Sequence, residues 1–107
     1  MPVVNIEFDD KKVSKKDIFL LSNAIHKIVL DTTKTEDVIV YANTSQIRLN
    51  IHPIEIFVFM REHKIDNIDN LVRDIKLRLI DWKKQSSFKH LINLTLAPMQ
   101  WKIELGI

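Results

Sequence analysis

The chain has 107 residues and a net charge of +2, from 16 basic and 14 acidic side chains, and 46% of its residues are apolar. That length fits one domain, residues 1–107, with a real core but no deep, walled-off site, and that apolar fraction marks a globular chain. The balanced charge argues against a dedicated nucleic-acid binder; the lack of cysteine removes disulfides and thiolate chemistry; one glycine, Gly106, leaves no glycine-rich phosphate loop.

Residues 3–8, VVNIEF, alternate apolar and polar and predict a half-buried strand. Ser14 opens S-K-K-D, an N-cap with a carboxylate three residues on, and Ile18, Leu21, Ile25, Ile28 and Val29 follow helical spacing to about Leu30. A polar connection, residues 31–37, leads to a second strand at Val38–Tyr41. Ile47, Leu49 and Ile51 alternate with Arg48 and Asn50, the pattern of a short ribbon.

The strongest strand signal is Ile54–Arg61, where apolar residues on both parities predict burial on both faces. Asn67 caps a second helix through Ile68, Leu71, Val72, Ile75, Leu79 and Trp82, with a frayed end at Lys83–Ser87. Ile92, Leu94 and Leu96 give a fourth strand, which Pro98 breaks. Trp101, Ile103 and Leu105 then alternate as a short last strand. The order predicts an α+β fold: two β-α-β units forming a four-stranded mixed sheet with two helices on one face, plus a short C-terminal strand. A ferredoxin-like regulatory or assembly module has the same element order, and periodicity does not separate the two. The apolar last strand would be a sticky edge on a monomer, which points to a homo-oligomer.

The N-terminal dozen, MPVVNIEFDDKK, has no long apolar stretch, and no apolar run approaches the ~20 residues that span a bilayer, so a cytoplasmic protein with no membrane partner is expected. The feature that can carry chemistry is Pro2. Methionine is normally removed before a small residue, and the chain would then begin with a free secondary amine. A free α-amine has a reference pKa of about 7.7–8.0; burial or nearby cations lower it, making a general base at neutral pH. The plain alternative is that proline simply starts a strand rigidly.

A chain of this length that starts Met-Pro-strand and contains two β-α-β units resembles the tautomerase superfamily, over nearly its whole length. The most specific local likeness is Thr33-Lys34-Thr35-Glu36-Asp37-Val38-Ile39-Val40, which is similar to the passage carrying a pocket lysine in that family's longer members. The resemblance implies a homotrimer with pockets at subunit interfaces, no cofactor, and a terminal proline that moves a proton between carbon and oxygen of a small enolisable acid. Cations would hold the anionic substrate: Lys34, Arg61 at the end of the strongest strand, and Arg48. Trp101 is the candidate aromatic wall, or else a core or interface anchor.

His26, His52, His63 and His90 have no metal-ligand spacing, and no metal is expected. The basic stretch Lys83–His90 follows a helix on which Asp69, Asp74 and Asp81 interleave with Arg73, Lys76, Arg78 and Lys83. That mixture reads as a solvated helix face rather than a nucleic-acid patch.

Overall fold

The computed structural model describes residues 1–107. The elements are β1 (Val3–Phe8), α1 (Lys15–Thr33), β2 (Ile39–Asn43), β3 (Ile54–Arg61), a 3₁₀ turn at Glu62–Lys64, α2 (Ile68–Ser86) and β4 (Asn93–Met99). They form one four-stranded sheet in the order β2-β1-β3-β4. β1 pairs with β2 in parallel, β3 with β4 in parallel, and β1 with β3 antiparallel. Each β-α-β unit therefore keeps its two strands side by side. The ferredoxin-like alternative is a split unit, with another strand between them, and the observed pairing excludes it.

The sheet follows from period-two burial. Val4, Ile6 and Phe8 on β1 and Ile54, Ile56, Val58 and Met60 on β3 are all buried. The register sets Val4 opposite Val58, Ile6 opposite Ile56 and Phe8 opposite Ile54, so the apolar rows coincide. Ile18, Leu21, Ile25, Ile28 and Val29 of α1 and Ile75 and Leu79 of α2 join all of these but Met60 in one core, which places both helices on that face. The other face carries Phe57 and Phe59, half-buried, with ring centroids 6.2 Å apart. The expectation that β3 is buried on both faces therefore fails within one chain: burial alternates along its whole length.

Both helices start where capping chemistry predicts. Ser14 Oγ accepts from the Asp17 amide at 3.1 Å, and Asn67 Oδ1 accepts from the Asn70 amide at 3.0 Å. α1 runs past Leu30 to Thr33, because the Thr32 and Thr33 hydroxyls donate to the Ile28 and Val29 carbonyls instead of turning the chain out. It stops at Lys34, in the left-handed region at φ 53°. α2 likewise persists to Ser86 and ends at Ser87, φ 57°.

Two alternating segments find no partner strand in the chain. Residues 44–53 form an irregular loop, with Ile47 and Leu49 almost fully exposed. The C-terminal strand of the fold is β4, which continues through Pro98 to Met99; β4 is an edge strand, the place in a sheet where proline is tolerated. Trp101–Leu105 keeps the alternation but pairs with no strand. No helix is long and apolar enough to cross a membrane.

Candidate active site

Pro2 stands immediately before β1. Its ring is fully buried, and its carbonyl accepts from the Ile39 amide at 3.1 Å, so the sheet holds it rigidly. At this end of the sheet β1 begins, β2 begins and β3 ends: Val3 lies opposite Ile39 on one side and Phe59 on the other. Continuing that register brings the last residues of β3 alongside Pro2 and Met1. Lys34 belongs to the same end, because it terminates α1 just before β2.

Met1, Lys34, Arg61 and Lys64 line one cavity of about 450 Å³, together with Glu36 and Asp37. A second, apolar hollow of about 450 Å³ adjoins it at Met1 and is walled by Val3, Phe59, Met99, Trp101 and Ile103. The Arg61 guanidinium carbon lies 5.8 Å from the Trp101 ring centroid, within cation–π range. The Trp101 indole N–H is buried with no acceptor. Pro2, Lys34, Arg61 and Trp101 are therefore gathered at one end, with a cationic cavity and an apolar one meeting at Met1. In this chain the Pro2 nitrogen is an amide, joined to Met1.

None of Lys34, Arg61 or Lys64 takes part in the ion pairs of the chain. Glu36 and Asp37 share their cavity without lying within 4.0 Å of them, so the three cations remain free to receive an anion. Lys64 is absent from the sequence-based set. A single lysine in a short connection, among 16 basic residues, has no periodic signature; its one available signal was its position three residues beyond Arg61.

Arg48 is not brought to this site. Its Nη1 donates to Asp10 Oδ1 at 2.7 Å and to Thr44 Oγ1 at 2.7 Å, and lies 3.7 Å from Asp9 Oδ1. Asp9 and Asp10 follow β1, whereas Pro2 precedes it, and a six-residue strand separates the two ends by about 20 Å. The bond from Arg48 holds the Asp10 carboxyl below its ordinary value. Arg48 thus straps loop 44–53 to the β1–α1 turn. A larger cavity of about 550 Å³ lies there, between Glu7, His52 and Glu55, and contains neither Lys34 nor Arg61.

No protein-family model matches the sequence, and no curated protein matches it. Solved structures do match in fold. Malonate semialdehyde decarboxylase superposes with a TM-score of 0.70 at 10% identity, over 98% of this chain and 92% of its own. A macrophage migration inhibitory factor-like protein from Entamoeba histolytica gives 0.64 at 12% identity, over 96% and 95%. The wild-type fused 4-OT, an asymmetric trimer, gives 0.64 at 9% identity, over 91% and 85%. All three belong to the tautomerase superfamily, and the fold of this chain is the tautomerase fold.

Proposed function

We propose that the protein is a tautomerase or isomerase that moves a proton between carbon and oxygen of a small enolisable keto acid, with Pro2 as base and acid. One observation carries this reading: a buried, sheet-anchored proline beside a cavity whose Lys34 and Arg61 have no carboxylate partner. Removal of Met1 would free the Pro2 amine and vacate the junction of the two cavities. Burial and two nearby cations disfavour the protonated amine, which leaves it neutral and basic near pH 7.

In the enol-to-keto direction Pro2 takes the hydroxyl proton of the enol. The oxygen electron pair forms the carbonyl, and the carbon–carbon double bond receives the proton from the prolinium at carbon. Lys34 and Arg61 hold the substrate carboxylate and stabilise the developing enolate, Arg61 through its two-pronged fork. Trp101 packs over Arg61 and shields the pair from water. The Phe57–Phe59 face and the unpaired Trp101–Leu105 segment support assembly as a homotrimer, as does the trimeric fused 4-OT neighbour; the same reading places the protein in the cytoplasm.

Enol–keto conversion of phenylpyruvate is the test, run on wild type and Pro2→Ala alongside the intact mass. The expected result is a mass lacking Met1 and a Pro2→Ala rate down by at least about 10²-fold, the scale of general acid–base catalysis. A retained Met1, or equal rates, would leave a non-catalytic module with this fold.

A further inference from the structure

The outward face of α1 differs in charge from the rest of the helical layer. Lys15, Lys16, Phe19, Leu20, Asn23 and Lys27 recur at helical spacing and are all exposed. Phe19 and Leu20, in the middle of the row, are 59% and 49% exposed. The face runs about 18 Å from Lys15 to Lys27 without a carboxylate, and the first acid on it is Asp31, one turn further on. Lys11 and Lys12, also exposed, extend it into the preceding turn. None of these five lysines takes part in an ion pair. The carboxylates beside them in sequence are engaged elsewhere: Asp9 and Asp10 by Arg48, and Asp17 by His90 at 3.1 Å. Lysines at the start of a helix oppose its dipole, so they do nothing for the stability of α1. α2 shows the ordinary arrangement instead, with Asp69, Asp74 and Asp81 interleaved among its cations and Arg78 paired with Asp74 at 3.2 Å.

We infer that this face docks on an anionic lipid surface, with Phe19 and Leu20 entering the headgroup region and the lysines set on lipid phosphates and carboxylates around them. A row of uncompensated ammonium groups complements a negatively charged surface, and the two large apolar side chains among them supply the insertion that a purely electrostatic contact lacks. The face is the convex outside of one helix, which suits a broad, yielding plane. It holds no arginine fork and one aromatic ring, so it lacks the bidentate donors and the stacking platform of a nucleic-acid reader. It also lies on the opposite side of the sheet from Phe57 and Phe59, so assembly through that pair leaves it open. The expectation of no membrane partner rested on the lack of a spanning run, and a helix lying in the plane of the interface needs none. The inference stands apart from the Pro2 reading, whose cations gather at the other end of α1.

Co-sedimentation of the full chain with vesicles tests this, with phosphatidylcholine alone set against a mixture of phosphatidylcholine and phosphatidylserine at roughly 7:3. At about 0.1 M salt the wild type should partition at least about tenfold more strongly onto the mixed vesicles, and about 1 M salt should release it, because screening then acts within about 3 Å. A lysine near an anionic leaflet is worth about fivefold in partition. Lys15→Gln with Lys16→Gln should therefore weaken binding at least about tenfold, and Lys15→Arg with Lys16→Arg should keep it. Phe19→Ser with Leu20→Ser should weaken it at least about fivefold with every charge in place. No preference for the mixed vesicles, or one that survives both weakening pairs of substitutions, overturns the inference. Capture of polyglutamate or of a DNA duplex without vesicle binding overturns it too, and gives the lysines to a different anion.

Discussion

Lys34 sits at φ 53°, ψ 36°, a conformation that glycine adopts freely and a residue with a Cβ adopts at a cost of about 1–2 kcal/mol. Ser87 ends α2 in the same conformation, so the left-handed cap is a feature of both helix ends. Lys34→Gly is therefore expected to raise unfolding stability by about 0.5–1 kcal/mol in denaturant titrations while lowering kcat/KM by at least about tenfold; a variant that loses stability contradicts the account. Arg48 makes the opposite case, a cation with a structural task. The Asp10 carboxyl is held below its ordinary value of 3.8, first by its hydrogen bond from Arg48. A depressed pKa stabilises the fold above the unfolded value and loses that contribution as pH falls through the folded one. In denaturant titrations the midpoint of wild type should thus lie above that of Arg48→Ala at pH 7, and the two should converge as pH falls below 3.8. Lys34 is legible through the likeness of Thr33–Val40 to a family passage, and Arg61 through its place at a strand end. The sequence could not show that Arg48 is taken by Asp10, a contact 38 residues away, nor that Lys64 reaches the cavity of Pro2.

Among the elements, the two helices and the long strand were legible because each carries its own signal: a cap, a 3.6-residue stripe, a strict alternation. Ser14→Ala should cost about 1 kcal/mol, since the Asp17 amide then loses its acceptor. Leu21→Ala, at a fully buried position, should cost about 2–5 kcal/mol through lost burial and the cavity left behind; thermal or denaturant unfolding checks both. The segments at 47–51 and 101–105 show what alternation leaves out. It reports which side chains share a face, and a strand also needs a neighbouring edge. Pro98 errs the other way: the residue looks like a stop, but on an edge strand it breaks nothing.

For the molecule as a whole, the decisive fact lies outside periodicity. Direct parallel pairing of β1 with β2 and of β3 with β4 distinguishes this topology from a split one, and it is also what sets the ends of β1, β2 and β3 around Pro2. The helix-free face of the sheet carries the stacked, half-buried Phe57 and Phe59 beside polar Asn5, Glu7, Glu55, Asn93 and Thr95, a mixed surface of the kind that subunit contacts use. Native mass measurement is expected to give three times the 12.6 kDa chain mass, and Phe59→Lys should shift the protein toward the monomer. A wild type that runs as a monomer removes the assembly argument.

The burial of Pro2 has a practical corollary. The residue ahead of it already lies where the cationic and apolar cavities meet, so any leader, affinity handle or fusion partner joined there would thread its backbone through the space proposed for substrate. Recombinant material carrying an uncleaved upstream handle should therefore bind ligand poorly and catalyse nothing, however well it folds.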